Sequence, residues 1–173
     1  ALADLRDQGL LETRRGRTGG SFIRSVEPPA DPRPQTFDEA RALLEVRSVV
    51  ESGAAALAAL RGSPSDVFTL EVLAEWLADP ARADKIWFLD AQFHMAVAEM
   101  TRNPLLVETV ADLKCRTSEA LIRLGVQWDV VGAAGTHRAI VEAIGKGDAQ
   151  GASEAMRAHL EGIVARVEGG VHE

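Results

Sequence analysis

The chain lacks tyrosine altogether, has one cysteine and is poor in aromatics, which make up 5% of its 173 residues. With Cys115 alone, no internal disulfide can form, and such a chain suits a reducing compartment. Ala, Leu, Val, Glu and Arg dominate in place of aromatic and β-branched residues, a composition that favours helix over sheet. No apolar run approaches the roughly 18 residues needed to span a bilayer, and no signal-like start is present, so the cytoplasm is expected and a membrane partner is not. A hydrophobic content of 46% against 26% charged residues excludes a disordered chain. The length suffices for one good core, or for one domain and a fragment of another.

Negative charge is in excess, with a formal net charge of −7, but it is unevenly spread. Residues 1–24 hold five Arg (Arg6, Arg14, Arg15, Arg17, Arg24) against Asp4, Asp7 and Glu12, which leaves +2 there and −9 on the remainder. A basic leader on an acidic body suggests two modules with different partners. An acidic body repels phosphate backbones, so contact with nucleic acid is expected from the leader alone.

The pattern along the chain agrees. ALADLRDQGLLE reads as the end of a helix, with Leu2 and Leu5 at helical spacing and Gly9 as the stop. LLETR and SFIRS flank a turn holding Gly16, Gly19 and Gly20, a candidate β-hairpin. SVEPPADPRPQT packs four prolines into a dozen residues and marks a linker. Helical periodicity then predicts six helices, over about 37–61, 66–78, 82–101, 104–124, 130–144 and from Asp148 to about Gly169. Short connections between them imply an antiparallel all-α bundle. The first helix is expected to bury Leu43, Leu44, Val46, Val49, Val50, Ala54 and Leu57, the second Leu70, Leu73, Trp76 and Leu77, and Cys115 is expected in the core.

Histidine is scarce too, and its placement carries the chemistry. Of four, His172 lies in the tail, while His94, His137 and His159 fall on the apolar faces of the third, fifth and sixth helices. Asp90 lies one turn before His94 and leaves the same face. One inward histidine is ordinarily a hydrogen-bonded core residue, and an i, i+4 Asp/His pair can be a local hydrogen bond. Three such histidines on three helices, joined by an aspartate, form instead an N/O ligand shell for a divalent ion: zinc first, with nickel, manganese or iron admissible. Four protein ligands leave room for water or a small carboxylate. Arg47 can grip such a carboxylate, or snorkel and pair with Glu51 one turn on. Arg116 and Arg123, seven apart on the fourth helix, can line the same cavity or face water.

These motifs together resemble the GntR family of transcriptional regulators. LADLRDQGLLETRRGRTGGSFI resembles the last helix turns and wing of its winged helix-turn-helix. Asp90-x-x-Phe93-His94, then HRAIVEAI from His137 on to Gly147-Asp148, then Met156-Arg157-x-His159-Leu160, in that order, resemble the family's FCD ligand-binding domain, and EVRSVVE from Glu45 resembles that domain's first helix. The resemblance implies a partial winged helix-turn-helix over 1–25, a Pro-rich linker over 26–36, a helical effector domain over 37–169 and a tail over 170–173. It implies a homodimer that binds DNA, with Arg14, Arg15 and Arg17 of the wing on phosphates, Asp90, His94, His137 and His159 holding the ion, and Arg47 anchoring a small organic acid; Arg116 and Arg123 stay further effector-binding candidates from their spacing alone. Thr136 stands where the family often has an acidic residue. The start falls partway through the DNA-reading helix, as in a regulator with its front end missing, so this polypeptide alone should bind DNA poorly. Two other classes use the same residues: a metal-dependent hydrolase, with Glu51 or Glu119 as its base, and a metal-free helical dimerisation module.

Overall fold

The computed structural model describes residues 11–14, 20–23, 36–126 and 130–169, with side chains over 36–126 and 135–168. The chain divides into two compact units, Ala1–Pro34 and Gln35–Glu173. In the first, β1 (Leu11–Arg14) pairs antiparallel with β2 (Gly20–Ile23), with Leu11 opposite Ile23 and Arg14 opposite Gly20. This is the hairpin expected from the Gly-rich turn. The expected leading helix end, Arg15 and Arg17, nearly all of the linker and the tail lie outside the described residues.

The second unit is all helical: α1 (Phe37–Arg61), α2 (Pro64–Leu77), a 3-10 segment (Pro80–Lys85), α3 (Ile86–Met100), α4 (Pro104–Arg123), α5 (Val130–Gly145) and α6 (Ala149–Gly169). Local chemistry sets these boundaries. Thr36 closes a capping box with Glu39, and Ser63 closes another with Asp66, each box satisfying two backbone donors that the helix start leaves free. Asn103 Oδ1 accepts from the Leu105 amide, and Pro104 opens α4 where no amide hydrogen is needed. Gly125 and Gly147 end α4 and α5 with φ of 70° and 69°, a conformation that any side chain would strain. The third expected helix differs at its start: Pro80 and the Asp79 cap wind residues 80–85 into a 3-10 turn, and α-helix begins only at Ile86.

α1 is the shared wall of the bundle, packing most extensively on α6 and also on α3, α4 and α5. Its buried stripe is Ala40, Leu44, Arg47, Glu51, Ala54, Ala55 and Ala58, which corrects the expected one. Val46 and Val49 are 49% and 77% exposed, because the stripe runs at i, i+3, i+4, i+7 through two charged residues and not around them. Trp76 is likewise more exposed than expected and lies under the Arg82 guanidinium, 4.9 Å from its ring centre. Cys115 is exposed, one position off the buried face formed by Leu113, Lys114 and Thr117. The apolar core is continuous through Leu44, Leu70, Leu77, Phe93, Leu121, Ile140, Met156 and Leu160.

Candidate metal centre

Within that core, five helices turn polar groups toward one another. α3 contributes Asp90 and His94, α5 His137, α6 His159, α1 Arg47 and Glu51, and α4 Lys114; all are at most 3% exposed. Charged and imidazole groups held this far from water are costly unless paired. Most of their hydrogen-bonding atoms do find partners, in two chains.

The first chain runs outward from His94. Its Nδ1–H donates to Glu51 Oε2 at 2.5 Å, and Glu51 Oε1 accepts from Arg47 Nε at 2.5 Å. Burial disfavours the Glu51 carboxylate, but the charges of His94 and Arg47 outweigh it and hold its pKa at about 2. Burial likewise opposes a charged His94, yet Glu51 and Asp90 lift its pKa above the ordinary value. The Glu51 contact also fixes the ring: with the proton on Nδ1, the Nε2 lone pair faces inward.

The second chain centres on Asp90. Its Oδ1 accepts from His137 Nε2 at 3.2 Å and lies 3.6 Å from His94 Nε2. Lys114 Nζ stands 2.7 Å from Oδ2, an ion pair whose angles fall outside hydrogen-bond geometry. Burial pushes the Asp90 pKa up, and the Lys114 and His94 charges more than reverse it, holding the carboxyl well below the usual range. His159 bonds through Nδ1 to Thr136 Oγ1 at 2.9 Å. Its burial, reinforced by His137 and His94, keeps it neutral, with a pKa well below the usual histidine value.

Besides Asp90 Oδ2, three buried polar atoms of this group have no hydrogen-bond partner: His94 Nε2, His159 Nε2 and Arg47 Nη2. The three imidazoles are close, with ring centres 4.4 Å apart for His137 and His159 and 5.2 Å for His94 and His159. Phe93 lies edge-on to His137 at 4.7 Å and closes that side with apolar surface. Asp90, His94, His137 and His159 each offer one ligand atom, and all four atoms lie within 4.8 Å of one another. Two atoms each about 2.1 Å from one ion can be at most about 4.2 Å apart, so the set comes within small side-chain adjustments of a first-row divalent shell. The unpartnered Nε2 atoms make the same point chemically, since a buried imidazole nitrogen with no hydrogen-bond partner is open to an ion.

The expected four-residue constellation is therefore assembled as the sequence suggested. Arg47 is paired with Glu51, as one alternative had it, but is buried outright with no snorkelling to solvent. Arg116 and Arg123 are not brought to the cluster. Both are exposed and reach back to Asp112 and Glu119 on their own helix, because they fall outside the α4 stripe of Val110, Leu113, Lys114, Thr117 and Leu121. Glu119, a candidate base on sequence grounds, is occupied there. Arg14 lies on β1, opposite Gly20. Sequence reasoning missed Lys114 and underrated Glu51, although Glu51 lies three and four before Ala54 and Ala55 and Lys114 lies four after Val110 and seven before Leu121.

Comparison with known proteins identifies the family of the helical unit. The FCD domain family matches residues 42–162. Over 92% of this chain and 67% of the relative, the sequence is 33% identical to a protein of Escherichia coli (strain K12) named as regulator of the L-lactate dehydrogenase operon. It is 26% identical to the transcriptional regulator LutR of Bacillus subtilis (strain 168), covering 94% of this chain and 80% of the relative. Among solved structures, Streptococcus agalactiae GntR superposes with a TM-score of 0.68 at 24% identity, over 95% of this chain and 78% of the other. McbR/YncC of E. coli superposes with a TM-score of 0.71 at 17% identity, over 99% and 78%, and both carry the same fold. These relatives are transcriptional regulators and not enzymes. The chain belongs to the FCD-domain family, as the effector-binding part of a GntR-type transcriptional regulator.

Proposed function

We propose that the helical unit senses a small organic acid through a divalent ion held by Asp90, His94, His137 and His159. The observation that carries this reading is the pair of unpartnered, fully buried Nε2 atoms on His94 and His159, in the same four-residue cluster as the Asp90 carboxylate. Buried polar atoms without partners are rare in native proteins, and three imidazoles with one carboxylate are a natural shell for zinc. When bound, the ion supplies Lewis acidity and positive charge to a carboxylate oxygen. The chain's own residues do the rest. Glu51 orients His94 and raises its basicity, Thr136 orients His159, and Phe93 excludes water from one side. Arg47, with Nη2 unpaired and its Nε neutralised by Glu51, is the donor for a second carboxylate oxygen.

The ligand would then act by binding one arrangement of a homodimer better than another, since equal affinity for both shifts nothing. The readout would be the placement of winged-helix heads on DNA, with the hairpin of residues 11–23 as wing and Arg14, Arg15 and Arg17 on phosphates, in the cytoplasm. The name of the lactate-operon regulator fits a carboxylate sensor, and 2-hydroxy acids lead the ligands to test. Two measurements decide it: elemental analysis of the purified protein, and a melting-shift screen of mono- and dicarboxylates with and without chelator. Metal at one equivalent per chain, lost in His159→Ala, with carboxylate-dependent stabilisation that disappears on chelation, is the expected result. Unchanged metal content in His159→Ala would refute the ligand assignment.

A further inference from the structure

Lys114 is a charged group at the centre to which the metal reading gives no role as ligand, anchor or orienting partner of a histidine. It occupies the buried stripe of α4 between Leu113 and Thr117, where lysine is ordinarily excluded, and is 3% exposed. Its Nζ meets Asp90 Oδ2 at 2.7 Å, donates to Ser118 Oγ at 2.9 Å, and lies 6.0 Å from the Trp87 ring centre. Arg47 already neutralises Glu51, so Lys114 is the permanent cation set against Asp90.

A wholly buried carboxylate with no opposite charge is strongly destabilising. Asp90 must therefore have a counter-charge before any ion arrives. Its two oxygens take different partners, Oδ1 facing His94 and His137 while Oδ2 faces the ammonium. An ion on the histidine side would share this carboxylate with Lys114, and two cations a few ångströms apart repel strongly where water is excluded.

We propose that Lys114 is a positioning residue acting as a resident counter-cation: it keeps Asp90 paired and correctly turned in the metal-free protein, and it lowers the affinity of the divalent ion that shares that carboxylate. The site thereby exchanges its ion and keeps its fold in both states. This rests on the metal reading above.

The test uses zinc and the whole chain. Metal-free wild type, Lys114→Met, Lys114→Gln and Lys114→Arg are melted, then titrated with zinc against a chromophoric chelator at neutral pH. Lys114→Met should melt roughly 10 °C lower without metal, since a buried carboxylate has lost its partner. It should nonetheless bind zinc about tenfold or more tightly than wild type, because the competing charge is gone. Lys114→Gln, which keeps a donor without the charge, should fold more readily and still bind zinc more tightly; Lys114→Arg should restore wild-type behaviour in both assays. A merely structural lysine would weaken zinc binding in Lys114→Met and Lys114→Gln alike, and that result overturns the proposal. Equal zinc affinity in wild type and Lys114→Gln overturns it as well. If wild type binds no zinc, the metal reading itself falls and takes this one with it.

Discussion

The two halves of the buried stripe on α1 are built on opposite principles. Toward the C-terminus, Ala54, Ala55 and Ala58 are buried small side chains that meet neighbouring helices through apolar packing. One turn earlier, Arg47 and Glu51 occupy the same face, equally buried, and are held by ion pairs to each other and to His94. The alanine half tolerates no added bulk, whereas the charged half tolerates no lost partner. Stability thus comes from fit in one half of the stripe and from ion pairing in the other, and the second leaves the Arg47 Nη2 donor without a partner.

Substitutions that break one half and spare the other should show the difference. Glu51→Ala strands the Arg47 guanidinium and removes the acceptor of His94, and should cost about 3–5 kcal/mol, read by denaturant unfolding. Ala55→Leu on the packed half should cost less, about 1–3 kcal/mol, and leave zinc binding at its wild-type value. If Ala55→Leu abolished binding while Glu51→Ala did not, the division between the halves would be wrong.

Acidity sharpens the contrast, because only the charged half titrates. Glu51 is held at about 2 and Asp90 well below its ordinary value of 3.8, so the stability they contribute is fully present above the unfolded values of 4.5 and 3.8 and is lost as pH falls through the folded ones. His94 works the other way. Its raised value contributes stability in the metal-free protein below 6.5, and that contribution is lost as pH rises through the folded value. Melting the metal-free protein across pH should show both flanks, and Glu51→Ala should lose the alkaline one. Zinc needs neutral His94, so its added stabilisation should grow as pH rises toward neutrality.

Smaller effects are expected away from the centre. Ser63→Ala opens the capping box of α2 and should cost about 1 kcal/mol without changing metal content. Arg116→Ala removes an exposed pair with Asp112 and should move stability by less than about 0.5 kcal/mol and carboxylate binding not at all. A marked loss of carboxylate response in Arg116→Ala would return that residue to the site.

The fold is largely legible in the sequence because its punctuation is local. Thr36, Ser63-Pro64, Asn103-Pro104 and Gly147 set helix ends through backbone chemistry that acts within a few residues. The four ligand candidates are legible because histidine is scarce and each lies among apolar neighbours. Lys114 and Glu51 are harder to see: a charge on a helix normally faces water, and the partners that permit their burial, Asp90 and His94, are distant in sequence. The same prior misplaces Val46, Val49 and Cys115, whose apolar character alone does not bring burial. Residues whose burial depends on a partner elsewhere are invisible to any count made along one helix.

The exposed thiol of Cys115 has a practical corollary. It directly follows Lys114 on α4, with its own side chain in solvent, and the chain carries no other sulfhydryl. A single fluorophore attached there would sit on the outer surface of the helix whose inner surface meets Asp90, giving an optical report of events at the centre without altering any group that takes part in them.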